Sequence, residues 1–525
     1  MMTVAEGAAA LRSGRLSPLE WMEDCLRVVA RLNPVLRAFN RIDVEGATAA
    51  ARRAGGELEQ GRDRGPLHGV PFGVKDVYDV AGLPTTGYSW SRMDHLATRD
   101  ATAVQRLREA GAICVGKLAT HELANGGPSH DLPWPPARNP WDIDRVTGGS
   151  STGAGAAVAA GLLPAALGSD TSGSIRIPAS LCGVVGIKPT WGRVSRAGVI
   201  EHSATLDHCG PMAWTVEDCA LLLQAMAGPD PRDPAAAARP VPHFRPPLGE
   251  GVRGWTVGVV RYADEPAGGR DGGRASVLDR AGKVLRGLGA TLREVTLPSL
   301  TSFHDVRLVV SKQQVFASHL AALTSGVDRF GADFLGLTLA GALYAAGDVR
   351  MALAVRGRLV NDVDRALRDC NVLLAPASGP AARFADYGPA RVVDHWQRPS
   401  LEAPFSVTGH PALTVCAGFD REGLPLGIQV VGRHFDEESV FRAGHALEKV
   451  IDNRSIRPLV RSKVRAHSQG SIRQDPPLDP QQAEAAHRLL EARGVRSDER
   501  ALRQCAATLP YAREALDRLR AMATG

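Results

Sequence analysis

Two serine-rich stretches and one lysine are the residues of this sequence whose types and surroundings could do chemistry. The stretch GSDTSGSIRIPAS, residues 168–180, places four serines on a backbone interrupted by Gly168 and Gly173. The stretch GGSSTG occupies residues 148–153, and Lys75 ends the β-like run in GVPFGVKD. A packed core does not explain these hydroxyls, because a buried hydroxyl without a partner costs about 1–3 kcal/mol. Their co-occurrence with tight glycine turns indicates a site for nucleophilic chemistry.

Three partial matches to other motifs are rejected on their context. GSSTG at 149–153 fits the nucleophile elbow G-x-S-x-G around Ser151, but a polar coil precedes it instead of the required apolar strand. The same loop lacks the G-K-[ST] ending of a phosphate-binding loop. HELAN at 121–125 begins like the zinc motif H-E-x-x-H, but Asn125 stands where the second histidine is needed.

Several long segments of the chain resemble the amidase signature family, whose members are serine hydrolases with a Ser-Ser-Lys triad. The segments that carry the resemblance are GPLHGVPFGVKD, RNPWDIDRVTGGSSTGAG, GSDTSGSIRIPASLCGVVGIKPTWGRVS, LDHCGPMAWTVEDCALLLQAMAGPDPRDP and GHPALTVCAGFDREGLPLGIQVVGRHFDE. They span roughly residues 1–450. Because the matches are long and collinear, they are far more specific than one short motif.

The resemblance implies a role for each reactive residue. Lys75 matches the catalytic lysine, Ser150 the bridging serine, which in that family follows an unusual cis peptide bond, and Ser174 the nucleophile. We expect Asp170 and Arg176, which flank the nucleophile, to support its loop as an ion pair. The implied oxyanion hole consists of the backbone N–H groups of Thr171, Ser172, Gly173 and Ser174.

Physical chemistry is consistent with these roles. Serine is a poor nucleophile until a base takes its proton, and lysine is a base only when it is neutral. Burial lowers a lysine pKa by several units, and a shift from about 10.4 to 7–8 corresponds to about 4 kcal/mol. Ser150 would relay the proton from Ser174 to Lys75, and the reverse relay would protonate the leaving amine. The glycines let N–H groups approach the developing oxyanion.

The favoured interpretation is a stand-alone amidase that hydrolyses a carboxylic amide through an acyl-enzyme on Ser174, without a metal or organic cofactor. The alternative is the glutaminase (A) subunit of a tRNA-dependent amidotransferase, which shares the fold and the triad. In that subunit Ile-Arg-Gln-Pro usually follows the nucleophile, whereas this chain has Ile177. That residue and the extra tail beyond residue 453 favour the stand-alone enzyme. Intact triad positions argue against a third alternative, a non-catalytic scaffold.

The family pattern is not matched at every position. Ser172 stands where glycine is frequent, which leaves the backbone donor in place. Ser406 and Cys416 stand where asparagine and proline are common. These differences concern the wall of the pocket and not the triad. We expect the loop 125–141 and residues after 300 to shape the pocket, and Trp134 and Trp141 either face the acyl group or are simply packed.

The elements that must position these residues follow an alternating pattern of strands and helices. Strand-like runs occur at 70–74, 255–260, 371–376, 412–416 and 426–431. Helical segments lie between them, and SPLE at 17–20 has the form of a capping box with proline at the first helical position. This alternation predicts an α/β protein, and the resemblance implies a layered α/β/α arrangement around a central mixed sheet.

Three segments are predicted along the chain. Residues 1–453 form the amidase domain, 454–478 a linker and 479–525 a helical C-terminal extension. In the extension, Asp479-Pro480 predicts the start of a helix that ends at Gly494. Second and third helices are expected to begin at Ser497 and Pro510. Whether the extension mediates assembly or caps the pocket stays open.

Composition and charge limit the kinds of partner that we expect for this protein. Hydrophobic residues make up 44% of the chain and charged residues 22%, as in ordinary globular enzymes. The whole net charge of +6 falls in the segment from Arg454 onward, so a nucleic-acid partner is not expected. No run reaches about 18 apolar residues and the start lacks a signal-like stretch, so we expect a cytoplasmic protein without membrane contact. Eight scattered cysteines form no C-x-x-C pair. The predicted partner is a small-molecule amide, and monomer and homodimer both stay open.

Overall fold

The computed structural model describes residues 2–265, 272–386, 398–460 and 479–524, and these form an α/β fold around one mixed sheet. Its eleven strands lie in the order β1-β3-β2-β4-β6-β5-β10-β11-β9-β7-β8. Their ranges are β1 Phe39–Ile42, β2 Pro71–Lys75, β3 Ile113–Leu118, β4 Ala165–Asp170, β5 Val185–Lys188, β6 His208–Ala213, β7 Thr256–Tyr262, β8 Thr291–Leu297, β9 Val372–Pro376, β10 Ala412–Phe419 and β11 Pro425–Val431. The predicted fold class and the five predicted strands are confirmed.

Fifteen α-helices occur among the described residues, and most cover the sheet. They are α1 Val4–Arg12, α2 Pro18–Leu36, α3 Val44–Glu59, α4 Thr102–Glu109, α5 Thr152–Ala159, α6 Arg176–Cys182, α7 Val216–Met226, α8 Gly272–Gly287, α9 Leu300–Ser325, α10 Ala332–Leu339, α11 Ala346–Arg368, α12 Ala403–Thr408, α13 Glu437–Ile451, α14 Pro480–Glu491 and α15 Glu499–Thr524. The predicted capping box is present at α2, where the Ser17 hydroxyl accepts from Glu20 N–H and the Glu20 carboxylate accepts from Ser17 N–H.

The middle of the sheet brings two reactive segments to the same edge. Strand β2 pairs in parallel with β4, with Phe72 opposite Ala165 and Val74 opposite Leu167. Because neighbouring parallel strands end at one edge of a sheet, Lys75 at the end of β2 lies near the end of β4. Both strands are buried along their whole length.

Both serine-rich stretches lead into buried helices. Helix α5 begins at Thr152, directly after the first stretch, and α6 begins at Arg176, two residues after Ser174. Helix α5 is made of small residues and is buried on every side, which allows it to lie against β4 and α6. The two loops are joined directly, because the Ser151 N–H donates to the Ser174 carbonyl at 3.1 Å.

The C-terminal extension packs onto the body through α9, α10 and α11. Asp479 caps α14 as predicted, but this helix ends at Glu491, before the predicted Gly494. The predicted helix boundary at Pro510 is wrong, because α15 continues through it from Glu499 to Thr524. Burial of apolar residues on both sides of the proline, such as Leu509 and Leu516, holds the helix together across it. Much of the predicted linker, residues 461–478, lies outside the described residues.

Within the described ranges, no single helix has the length and apolar character needed to cross a membrane; one pair of segments, Ala332–Leu343 and Ala346–Arg368, meets those criteria together but is bent by 98°. All eight cysteines are free thiols, and all except Cys416 are buried.

Candidate active site

Lys75 is one of the two fully buried side chains of the candidate triad, the other being Ser150. Lys75 lies at the end of β2. Its Nζ lies 2.7 Å from Ser150 Oγ and 2.9 Å from Ser169 Oγ. The predicted proximity of Lys75 and Ser150 is therefore present, and Ser169 is a second partner that the sequence did not indicate.

Burial changes the protonation of this lysine. Loss of solvent lowers the pKa of Lys75 from 10.5 to about 7, although the nearby carboxyl groups of Asp170 and Asp207 act in the opposite direction. The shift corresponds to about 5 kcal/mol against the ammonium form. A large fraction of Lys75 is consequently neutral near pH 7, and the amine can accept a proton.

Ser150 is held by an unusual backbone. The Gly149–Ser150 peptide bond is cis, as the family resemblance implies. A Cβ atom on Gly149 would lie 2.0 Å from Cε1 of His121, so any larger residue before this serine would require the His121 ring to move. The Ser150 carbonyl accepts from the N–H groups of His121 at 3.1 Å and Thr152 at 2.9 Å. These contacts keep the Ser150 hydroxyl buried beside Lys75.

Ser174 faces a cavity of about 330 Å³. Its hydroxyl makes no hydrogen bond to any residue that the structure describes, and it is available to a molecule in the cavity. A direct hydrogen bond between the hydroxyls of Ser174 and Ser150 is likewise absent from the described part of the chain. Catalytic hydrogen bonds are often long before substrate binds.

The backbone around Ser174 provides donors. The N–H groups of Thr171, Ser172 and Ser174 donate to no acceptor within the described residues, and Ser172 and Ser174 line the cavity. The fourth predicted donor differs, because the Gly173 N–H donates to Asp170 Oδ1 at 2.8 Å. Gly173 has φ +119°, and a Cβ there would lie 2.6 Å from Cβ of Glu402, so glycine is required at this turn.

Asp170 and Arg176 form the predicted ion pair beneath the loop. Both side chains are fully buried, and the guanidinium donates to the carboxylate through Nε at 3.0 Å and Nη2 at 3.1 Å. Burial alone would raise the pKa of Asp170, but Arg176 holds it well below its usual range. The guanidinium also donates to Gln429 Oε1 and Ser406 Oγ, both at 2.7 Å. Because the carboxylate also accepts from the N–H groups of Gly173 and Ile175, it fixes the backbone on both sides of Ser174.

A second carboxyl group lies close to the loop. Asp207 accepts from the Thr171 hydroxyl at 2.6 Å and from the N–H groups of His202 and Ser203 at 2.8 and 2.9 Å. It lines a separate cavity of about 150 Å³ together with Ser169. Burial raises the pKa of Asp207 to about 6 despite these hydrogen bonds, so the group is largely ionised at pH 7.

The cavity beside Ser174 is lined by the regions expected from the sequence. Pro128 comes from the loop 125–141, and Arg307, Pro380 and Leu401 come from residues after 300. The two candidate tryptophans do not line it: Trp134 packs against Tyr88 with ring centroids 5.2 Å apart, and the Trp141 indole donates to the Cys182 carbonyl at 2.8 Å. Trp134 and Trp141 are therefore packed side chains.

Glu402 is a further cavity-shaping residue that the sequence did not indicate. It is fully buried, and its carboxylate accepts from Ser378 N–H at 2.6 Å, Ser378 Oγ at 2.7 Å and Ser400 Oγ at 2.9 Å. Ser378 and Ser400 line the cavity. The turn after Ser378 contains a cis bond before Pro380. The only local signal for this wall is the turn sequence SGP at 378–380.

Comparison with known proteins bears directly on this arrangement. The family model described as Amidase matches residues 20–441. The chain belongs to the amidase signature family. Its members act on amide C–N bonds, so the protein is an amidase-family enzyme. The matched range contains Lys75, Ser150 and Ser174 and ends before the C-terminal extension.

Named relatives include both kinds of enzyme considered from the sequence. The A subunit of glutamyl-tRNA(Gln) amidotransferase from Chloroflexus aggregans is 37% identical over 482 residues, which covers 87% of this chain and 98% of the relative. A solved structure of the same kind of subunit from Thermotoga maritima has a TM-score of 0.73 and 30% identity, and the match covers 88% of this chain and 98% of the other. A peptide amidase in complex with the competitive inhibitor chymostatin has a TM-score of 0.75 and 30% identity, covering 87% and 98%.

Proposed function

We propose that this protein is a stand-alone amidase in which Ser174 is the nucleophile, Ser150 the proton relay and Lys75 the base. The observation that carries the proposal is the fully buried Lys75 amine, 2.7 Å from Ser150 Oγ and behind a serine that faces a cavity. A neutral amine is what a serine nucleophile needs when no histidine serves as base.

Acylation begins with the Ser174 hydroxyl. Its oxygen attacks the amide carbonyl carbon, its proton passes to Ser150 Oγ, and the Ser150 proton passes to Lys75 Nζ. For this step the Ser174 hydroxyl turns toward Ser150 when substrate fills the cavity. The tetrahedral intermediate carries a negative oxygen, which the N–H groups of Thr171, Ser172 and Ser174 stabilise. Removal of one such donor in other enzymes costs about 10²–10³ in turnover.

Collapse of the intermediate reverses the relay. The Lys75 ammonium returns a proton through Ser150 to the leaving nitrogen, the C–N bond breaks, and ammonia or an amine departs. Water then attacks the acyl group on Ser174 with the same three residues as base and acid. The acid product leaves, and Ser174 regains its proton.

The positively charged lining of the cavity supports a preference for amides that carry a negative charge. The guanidinium groups of Arg307 and Arg398 line it, and no carboxylate does so among the described lining residues. A guanidinium binds carboxylate with two parallel hydrogen bonds. We therefore expect amides that carry a carboxylate on the acyl side to be better substrates than neutral amides of similar size.

An ammonia-release screen tests both parts of this proposal. The purified chain is incubated with neutral and carboxylate-bearing amides, with Ser174→Ala as the inactive control. We expect the wild type to release ammonia and the Ser174→Ala variant to release none. Arg307→Met should raise KM for the carboxylate-bearing amides more than for the neutral ones. Equal effects on both would contradict the charge preference while leaving the amidase reaction intact.

The alternative is the glutaminase component of a tRNA-dependent amidotransferase, which the identity to those relatives favours. Ile177 supports the stand-alone enzyme, because it lines the cavity where that component usually has glutamine. The extension supports it too, since the family match ends at residue 441. Activity that appears only with a second protein component, or glutamine-dependent transfer to charged tRNA, would favour the alternative.

The remaining assignments concern the whole chain. We propose that residues 1–453 form the amidase domain, 454–478 a linker and 479–525 an extension that stabilises α9 and α10. Eight free thiols are consistent with a reducing compartment, which supports a cytoplasmic location. Gel filtration of the protein with and without the extension tests whether it forms a homodimer.

A further inference from the structure

Three side chains outside the candidate active site converge at one place in the fold. Asp364 lies on α11, His410 between α12 and β10, and His434 just after β11. One possible ligand atom from each lies within 4.8 Å of those of the other two. The rings of His410 and His434 have centroids 3.9 Å apart, and none of the three residues lines the cavity beside Ser174.

The orientation of His410 brings its Nε2 close to a carboxylate. Its Nδ1 lies 2.9 Å from Thr408 Oγ1, and the Thr408 hydroxyl donates to the Pro404 carbonyl at 3.0 Å. In the tautomer that carries its proton on Nδ1, this nitrogen donates to the hydroxyl oxygen and Nε2 keeps a free lone pair. Nε2 lies 3.0 Å from Asp364 Oδ1. In that tautomer a cation bound to both atoms would offset their mutual repulsion.

The spacing suits a tetrahedral metal ion. Ligands at about 2.0–2.1 Å from zinc lie about 3.3 Å apart, close to the separation of His410 Nε2 and Asp364 Oδ1. His434 is half-buried, and one of its possible ligand atoms lies within 4.8 Å of those of His410 and Asp364. The Asp364 side chain is 46% exposed, which gives an ion a path from solvent and leaves room for a water ligand.

Two basic residues lie near the cluster. Lys188 Nζ donates to the His410 carbonyl at 2.6 Å. Arg356 donates to the Val407 carbonyl at 2.6 Å and remains charged. One nearby guanidinium weakens cation binding without occupying any of the three ligand atoms.

We propose that Asp364, His410 and His434 form a zinc site with a water molecule as the fourth ligand. The ion would join α11 to the loops at the ends of α12 and β11. Thr408 would act as the positioning residue that holds His410 in the ligating tautomer. The site does not depend on the proposed amidase mechanism.

A metal titration of the full, tag-free chain tests this proposal. After dialysis against EDTA, the protein is titrated with Zn²⁺ by calorimetry and with Co²⁺ by visible absorption. One ion per chain and the intense bands of tetrahedral Co²⁺ are expected. His434→Ala and Asp364→Asn should each weaken zinc binding by at least about 100-fold.

Matched controls separate this site from general surface binding. Asp362→Asn alters a carboxylate on the same helix, and His487→Ala alters an exposed histidine on α14. Both should bind zinc like the wild type. Absence of stoichiometric zinc binding by the wild type would overturn the proposal. So would unchanged affinity in both ligand variants, provided that circular dichroism spectra show that they are folded.

Discussion

The reactivity of Ser174 should rise about tenfold between pH 6 and pH 8. Burial sets the pKa of Lys75 to about 7, so its neutral fraction grows from about one tenth to about nine tenths over this range. Because the proposed base is the neutral amine, we expect the rate to rise with pH and then to level. A solvated lysine, with a pKa of 10.5, would give a rate that still rises above pH 9.

A fluorophosphonate probe measures this reactivity without knowledge of the natural substrate. The probe phosphonylates an activated serine, and mass spectrometry of the modified peptide reports how fast Ser174 is labelled at each pH. In Lys75→Met the labelling rate should fall by about 10²–10⁴, the usual contribution of a general base. The pH-dependent rise should disappear in the same variant.

Asp207→Asn should move the midpoint of the pH-dependent rise in the Ser174 labelling rate to lower pH. Asp207 raises the pKa of Lys75, so removal of its negative charge lowers that pKa further. An asparagine oxygen can accept from the same two backbone N–H groups, and its amide can donate to the Thr171 hydroxyl. The control is Asp218→Asn, which removes another buried carboxyl whose pKa is raised by burial to about 7. In this control the midpoint should not move.

Three results would refute this reasoning about Lys75. A midpoint in Asp207→Asn that stays in place or moves to higher pH would contradict the electrostatic coupling. A rise that persists in Lys75→Met would assign the titration to another group. Loss of the rise in Asp218→Asn would identify that carboxyl as the titrating group.

Other perturbations give separate tests. Gly149→Ala would place a methyl group 2.0 Å from the His121 ring, so we expect Ser174 labelling to be lost, and a near-normal rate would contradict the packing described for this turn. Glu402→Gln removes a charged acceptor from Ser378, which should lower stability by about 2 kcal/mol in thermal melts and raise KM more than it lowers kcat. Truncation after residue 460 would expose the apolar surface of α10, and we expect a lower melting temperature with aggregation seen by light scattering; unchanged melting would show that the extension does not stabilise the body.

The sequence predicted those site residues that can be recognised from their immediate neighbours in the chain. Lys75 follows a β-like run, and the two serine loops each precede a helix, so each candidate residue could be placed on its element without the fold. The parallel pairing of β2 with β4 brings Lys75 to Ser169, and the hydrogen bonds from Ser151 to the Ser169 and Ser174 carbonyls hold Ser150 at the same place. The resemblance supplied the roles of these residues, and periodicity supplied the strands.

Residues that support the site from a distance were not predicted, because their signals are not local. Asp207, Glu402 and Gln429 are ordinary polar residues in sequence, and only the tertiary fold brings them to the nucleophile loop or the cavity wall. The continuous helix α15 was missed for a related reason. Proline normally ends a helix, but tertiary burial of the residues around Pro510 outweighs the lost hydrogen bond.

The buried guanidinium of Arg176 has a consequence for biosynthesis. Two of its acceptors, Ser406 and Gln429, are 230 and 253 residues further along the chain. A ribosome releases the N-terminal part first, and a growing polypeptide that lacks these acceptors cannot lock the turn that carries Ser174. We expect the hydrolytic centre to mature only when translation has passed β11, so unfinished chains cannot attack cellular amides.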